Sequence, residues 1–242
     1  MYGSIRSDAQ LWRFVDAGDG KYYIQSKLGT VLDVTSASAA AGTNVQTYTF
    51  NQSTAQKWTL LETEKTLYSI MGKTNVSVSQ MVKFYKNKAT VSYPYSNVSE
   101  APTIEKFCQI YKEESEVEGV KAEVAFAQAM METGFLKFGG DVKKDQYNFA
   151  GIGAIGGGSS GAKFDSIRIG IRAHVQHLKA YASKEALKQP VVDPRFQYVK
   201  RGSAEYVQWL GQKENPNGYG WATAKNYGNN IVKLYILPMK KY

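Results

Sequence analysis

The sequence predicts an α+β protein, a mainly helical body preceded by a small all-β segment. Two observations lead there. Residues 1–60 show no helical periodicity, and their β-rich pieces KYYIQ, VLDVT and NVQTYTF are separated by Gly, Asn, Ser and Thr. From about Leu61 the pattern changes, and apolar residues recur at helical spacing through most of the remaining chain. With 242 residues and 43% hydrophobic content, the chain is long enough for one large or two modest domains. The expected division is a β segment over 1–60, a connector and domain start over 61–100, and a helical domain over 101–242.

The β segment carries an internal repeat. Gln10-Leu11-Trp12 and Gln56-Lys57-Trp58 both read Q-x-W, and the stretch between them, GKYYIQSKLGTVLDVTSASAAAGTNVQTYTFNQSTAQKW, resembles a ricin-type lectin repeat nearly from end to end. The resemblance implies that Asp33 hydrogen-bonds a sugar hydroxyl, that Tyr48 and Asn51 complete a shallow pocket, and that Trp12 and Trp58 are core. It covers one β-trefoil subdomain and the tail of a preceding one, short of a closed trefoil. Open strand edges and uncovered apolar faces are then expected, and self-association through this segment is one way to cover them.

Helices are expected next. SVSQMVKFYKNK reads as a short helix, followed by the turn YPYSNVSEAP. Pro102 to Glu116 places Ile104, Phe107, Cys108 and Tyr111 on one side and ends near Gly119. A second helix is expected from Lys121 to Phe135, a long one from Ser166 to Ser183, and two more near Ser203–Leu210 and Ala222–Leu234.

The helix near residue 130 carries the chemistry. Val124, Ala125, Ala127, Ala129, Met130 and Met131 are apolar or small, enough to bury it around most of its circumference. Gln128 and Glu132 interrupt this run and, four residues apart, share a face. A buried acid is costly without a partner or a task. In the wall of a groove, loss of solvation would raise the Glu132 pKa and keep it protonated near neutral pH, as a general acid requires. The alternative is a helix-end glutamate facing water or bridged to a lysine.

Taken in order, SVSQMVKFY, EVAFAQAMMETGFL, QYNFAGIGAIGGG, GIRAHVQHLKAYAS, VDPRF and GYGWATAKNYGNNI resemble the bacterial glucosaminidase domain of glycoside hydrolase family 73. Members of that family cut peptidoglycan on a lysozyme-like scaffold. The resemblance implies that Glu132 is the general acid and that Gln128 supports the cleft floor. It implies that Tyr147, Asn148 and Phe149 hold an N-acetyl group or stack on a pyranose ring, and that Trp221 and Tyr227 line the opposite wall, with the Tyr227 hydroxyl steadying an acetamido group or a water.

One departure concerns the second carboxylate. The stretch GAIGGGSSGAKFDS is short and lacks the glutamate that several family members carry there. Asp165 is the nearest acidic candidate, with Asp141 and Asp145 behind it. Either an aspartate activates water and inverts the anomeric centre, or the substrate's own 2-acetamido group attacks C1 and configuration is retained. The aromatic residues and the glycine-rich loop favour the second route.

Other classes fare less well. Cys108 is the only cysteine, so no intrachain disulfide forms, and its neighbours place it in a core. His174 and His177 stand three apart without a supporting ligand cluster, so no metal site and no cofactor are expected. GAIGGGSSGAK lacks the spacing of a phosphate-binding loop, and a lid over a polymer groove suits its glycines better. The net charge of +9 is concentrated after residue 60, where 25 Lys/Arg stand against 17 Asp/Glu. Such a surface favours polyanions. The scattered lysines show no nucleic-acid signature, and anionic cell-wall polymers fit as well as peptidoglycan glycan strands.

No stretch reaches the ~20 apolar residues that cross a bilayer, and MYGSIRSDAQ has no signal-peptide pattern. No membrane partner is expected, and extracellular or cell-wall action would rely on export information outside this sequence. A muramidase, a lytic transglycosylase or a non-catalytic wall-binding protein are the rival readings.

Overall fold

The computed structural model describes residues 7–59, 67–154 and 161–242. The chain forms two compact units, residues 1–65 and 66–242.

The first unit is an antiparallel sheet of β1 (Trp12–Asp16), β2 (Lys21–Ser26), β3 (Val31–Val34) and β4 (Val45–Tyr48) in that order, with the short β5 (Trp58–Thr59) also pairing β2. The β1–β2 hairpin sets Phe14 opposite Ile24. Its turn runs through Gly18, Asp19 and Gly20 at positive φ, closed by the Gly18 amide donating to Asp16 Oδ1 at 2.9 Å. Among the described residues of this small unit, Tyr23 and Val31 are the buried apolar ones, and Tyr23 meets Phe50 edge-on at 4.8 Å between ring centroids.

The two tryptophans differ. Trp58 is half-buried, and its indole donates to the Leu32 carbonyl at 3.2 Å. Trp12, expected in a core, is 40% exposed. It stands on β1, which among the described strands pairs only with β2.

The second unit is built from α1 (Val78–Lys88), α2 (Ile104–Glu118), α3 (Ala122–Thr133) and α4 (Ile167–Ala182), followed by a C-terminal helical run. That run comprises α5 (Tyr227–Asn230), π-helical turns over Ile231–Ile236 and α6 (Leu237–Met239). α1 opens with a capping box, Ser77 Oγ accepting from the Gln80 amide and Gln80 Oε1 from the Ser77 amide. Thr103 and Ser166 cap α2 and α4 on one side only, their hydroxyls accepting from the Lys106 and Ile169 amides, and α2 ends at Gly119 in the left-handed conformation. The expected helix at 203–210 shortens to a single 3-10 turn, Val207–Leu210.

α3 is the central helix, with every residue from Ala122 to Met130 buried. Its small residues Ala125, Ala127 and Ala129 let neighbouring elements approach closely, while Phe126 reaches Tyr111 of α2 edge-on at 5.8 Å between centroids. α1 contributes Met81, Val82, Phe84 and Tyr85 to the same core. Residues 67–100 therefore pack as part of this unit.

Charged groups tie α2 to α4. Glu118 and Lys179, both fully buried, form an ion pair at 2.9 Å, and the Lys188 and Gln189 amides also donate to Glu118. Glu114 accepts from Arg168 at 2.8 Å and from Arg172 at 2.9 Å. Hydrogen bonding to these two arginines and to Gln189 outweighs burial and holds the Glu114 carboxyl below the usual range.

Two glycines fix how the loops of this unit meet its helices. A Cβ on Gly170 of α4 would lie 1.8 Å from the Tyr147 carbonyl oxygen, and one on Gly228 of α5 would lie 1.9 Å from that of Val207. Only hydrogen fits at either contact, so the 146–153 loop rests directly on α4, and α5 rests on the 3-10 turn. Among the described residues, no helix is long and apolar enough to cross a membrane.

Candidate active site

Glu132 lies in the last turn of α3, just before Gly134 ends the helix at φ 56°. The chain then keeps Phe135, Leu136 and Phe138 at positive φ, a run of non-glycine residues in a sparsely populated conformation. Thr133 steadies this exit, donating to the Ala129 carbonyl at 2.7 Å and accepting from the Leu136 amide at 3.0 Å.

Beyond the helix end is a pocket of about 190 Å³. Glu132, Phe138, Asp141, Asn148, Gly151 and Ala154 are among its lining residues. The Glu132 side chain reaches solvent through this opening, yet protein atoms crowd the carboxyl. Desolvation raises its pKa above the usual carboxylate range, against the opposing hydrogen bond from Tyr227. The carbonyl dipoles at a helix C-terminus act in the same direction as desolvation.

Tyr227, the first residue of α5, is buried and donates its hydroxyl proton to Glu132 Oε1. Gln128 lies one turn before Glu132, fully buried, and its amide nitrogen donates to the Tyr227 hydroxyl at 2.8 Å. Burial first, and the neighbouring Glu132 charge second, push the Tyr227 pKa well above its ordinary value, so the phenol keeps its proton. Gln128, Tyr227 and Glu132 thus form one connected group.

Other expected site residues divide. Asn148 lines the pocket, but its side chain is spent on the loop: Nδ2 donates to the Ile152 carbonyl at 2.9 Å and the Ala162 carbonyl at 3.0 Å, while Oδ1 accepts from the Ile152 amide at 2.9 Å. Tyr147, in the left-handed conformation, packs its half-buried ring against Tyr95 at 5.8 Å. Phe149 is fully buried, edge-on to Phe107 at 5.1 Å, so its ring belongs to the core and offers no face to a sugar.

Asp165 does not join Glu132. It is exposed just before the cap of α4 and is not among the residues of the pocket, whereas Asp141 is. The glycines at 156–158, expected to form a lid, lie outside the described residues.

A second concavity of about 220 Å³ shares Gly151 and Ala154 with the first. Its far wall includes His177, Tyr181, Arg195, Tyr198 and Trp221. The Trp221 ring meets His177 edge-on at 4.6 Å, and His177 Nδ1 is held by buried Asp193 Oδ2 at 2.6 Å. The residues Gly151 and Ala154 thus stand between the two pockets, with Glu132 lining one and Trp221 the other.

Four residues around the site were not singled out as site residues from the sequence: Tyr111, His174, His177 and Asp193. A signal did exist for His174. On α4 the residues Ile167, Ile171, His174 and Leu178 follow core spacing, so a histidine in that stripe needs a buried partner. Among the described residues, no three His, Cys, Asp or Glu side chains gather to hold a metal ion.

In the β unit, Asp33 is buried, with Oδ1 accepting from Gln46 at 3.2 Å and Oδ2 from Gln56 at 3.1 Å. Tyr48 and Asn51 are exposed.

A family model for glucosaminidases, described as mannosyl-glycoprotein endo-β-N-acetylglucosaminidase, matches residues 108–236. A model for ricin-type β-trefoil lectin-like domains matches residues 8–91, although the helix over 78–88 packs in the helical unit. An uncharacterized protein of Borreliella burgdorferi is 46% identical over 132 residues, covering 54% of this chain and 61% of that protein. This chain therefore spans less than two-thirds of that relative. Among solved structures, S. aureus autolysin E in complex with the muropeptide NAM-L-Ala-D-iGlu is 20% identical over 72% of each chain, with a TM-score of 0.46. A catalytic mutant of the same autolysin with the disaccharide NAG-NAM is 17% identical over 78% of this chain and 82% of that one, also at a TM-score of 0.46.

Proposed function

Because the chain belongs to the glucosaminidase family, whose model spans residues 108–236, we propose that it is an endo-β-N-acetylglucosaminidase. Its substrate is peptidoglycan and the bond cleaved is the β-1,4 linkage from GlcNAc to MurNAc. The observation that carries this reading is Glu132, a desolvated carboxyl opening into a pocket and held by the Tyr227 hydroxyl. Within the family, the order of motifs supports assignment to glycoside hydrolase family 73. The small sheet with exposed Trp12 supports an incomplete trefoil.

In this mechanism desolvation raises the Glu132 pKa and favours the protonated acid. As the bond to C1 breaks, Glu132 gives that proton to the glycosidic oxygen, and the 2-acetamido oxygen of the same sugar attacks C1 to form a cyclic intermediate. Glu132, now a carboxylate, takes a proton from the water that opens the ring, and configuration is retained. Tyr227 holds the carboxyl in place through both steps. Trp221, on the far wall, offers an apolar face to a neighbouring sugar.

Asp141 is the rival partner, since it lines the same pocket. If it acted as base on a water, the product anomer would be inverted. The anomer released therefore separates the two routes. The excess of cations after residue 60 suits an anionic wall, and a peptidoglycan substrate places the action at the cell wall or outside the cell. Sugar contact by the β unit rests on exposed Tyr48 and Asn51 rather than on Asp33, whose oxygens are both engaged.

Mass spectrometry of the fragments released from purified peptidoglycan tests the assignment. Reducing-end GlcNAc is expected. Reducing-end MurNAc or anhydro-MurNAc would reassign the chain as a muramidase or lytic transglycosylase.

A further inference from the structure

Behind the Glu132–Tyr227 pair, the hydrogen bonds continue into the core through two residues that no substrate can touch. The Gln128 side-chain oxygen lies 2.8 Å from His174 Nε2, and His174 Nδ1 lies 3.1 Å from the Tyr111 hydroxyl. Gln128, His174 and Tyr111 are all fully buried.

Their chemistry allows a single direction of donation. The Tyr111 hydroxyl has one acceptor among the described residues, His174 Nδ1, so it donates there. His174 is neutral, since burial and then the neighbouring His177 depress its pKa to about 3. With Nδ1 accepting, a neutral ring carries its proton on Nε2 and donates to Gln128 Oε1. That turns the Gln128 amide nitrogen toward Tyr227, whose oxygen accepts. The Tyr227 proton can then go only to Glu132.

We propose that Tyr111 and His174 form a buried tautomer lock, and that His174 is a positioning residue forcing the Tyr227 hydroxyl to donate to Glu132. This rests on the glucosaminidase reading and extends it. Desolvation raises the Glu132 pKa, which suits an acid but works against the base it must become one step later. A donor fixed on Oε1 opposes that rise and leaves Glu132 able to work in both roles. Without the lock, the Gln128 amide can turn over, accept from Tyr227 and remove the donor from Glu132.

Among the described residues, Tyr227 and Tyr235 interact with Glu132, Asp141 lines the same pocket, Tyr181 acts on Tyr227, and Tyr95 and Cys108 act on Tyr111. Tyr111, His177 and the Trp221 ring face His174. All except the substituted residue persist in each variant, so differences between variants isolate the lock.

The test is a carbon-13 NMR titration of the Glu132 carboxyl in the full chain, for wild type, His174→Phe and Tyr111→Phe, with nitrogen-15 shifts reporting the His174 tautomer. The lock predicts the Nε2-protonated tautomer in wild type. It also predicts a Glu132 pKa raised by about one unit in His174→Phe, a smaller rise in Tyr111→Phe, and an alkaline limb of kcat/KM that moves up in parallel. An Nδ1-protonated wild type, or a folded His174→Phe or Tyr111→Phe protein whose Glu132 titrates as in wild type, would overturn it. A lost kcat with an unmoved Glu132 titration would mean that His174 only packs. Should His174→Phe fail to fold, the milder Tyr111→Phe carries the test. The titration needs no substrate, so an inactive wild type would sink the glucosaminidase reading, whereas unmoved titrations in an active wild type would sink the lock alone.

Discussion

The Tyr227 hydroxyl donates to Glu132 Oε1 from a helix 95 residues further along the chain. The contact joins the end of α3 to the start of α5, which is held in place by the close approach of Gly228 to the Val207 carbonyl. The carboxyl is therefore located by two separate elements rather than by its own helix alone, which is how a site keeps a proton donor within narrow tolerance.

Tyr227→Phe removes the donor and leaves the ring. The Gln128 amide loses its acceptor inside the core, at a cost of about 1–2 kcal/mol in stability. Turnover should fall by about 10- to 100-fold, with KM changed much less. Steady-state kinetics on solubilised peptidoglycan, alongside thermal denaturation, would show this. A large rise in KM with kcat intact would instead make Tyr227 a substrate-binding residue.

Stability should respond to pH through Glu132. Its folded pKa is raised by desolvation, so the folded state holds this proton more tightly than the unfolded chain does. The associated stability is present below the unfolded carboxyl pKa of about 4.3 and is lost as pH rises through the folded value. Glu132→Gln, neutral at every pH, should therefore melt higher than wild type at pH 7, with the advantage vanishing by about pH 4. Melting curves across that window check it, and an equal difference at both pH values would contradict the raised pKa.

The Glu118–Lys179 pair is fully enclosed, so removing one partner strands the other charge. Lys179→Ala should cost about 3–5 kcal/mol, measured by urea denaturation. Lys179→Met together with Glu118→Gln should recover much of that loss, because no uncompensated charge is left. A single variant as stable as wild type would show that water reaches the site.

How much of this was readable from residues alone varies with the feature. Glu132 and Gln128 stood out because two polar residues four apart on an otherwise apolar helix must meet something, and helix periodicity shows which face they share. Phe149 did not, because a loop ring carries no periodicity to tell core from cleft, and it turned inward against Phe107. Asp165 was the wrong acid for the pocket. Nearness in sequence to the glycine loop does not bring it to Glu132, whereas the chain leaving α3 through its positive-φ residues brings Asp141 there. From the sequence, His174 invites only comparison with metal-ligand and nucleophile patterns, neither of which it fits. Its actual partners, Tyr111 and Gln128, lie on two other helices, and no local pattern encodes contacts 63 and 46 residues apart. In the β unit, Trp12 follows its repeat motif, but among the described strands β1 pairs only with β2 and leaves the indole 40% exposed.

The most direct measurement is the rate of muropeptide release from purified peptidoglycan by wild type and Glu132→Gln, with circular dichroism and wall pelleting run on the same samples. The account predicts a loss of at least about 100-fold in the variant, with folding and wall binding retained. A folded Glu132→Gln protein that releases fragments within a few-fold of the wild-type rate would contradict the assignment of Glu132 as the proton donor.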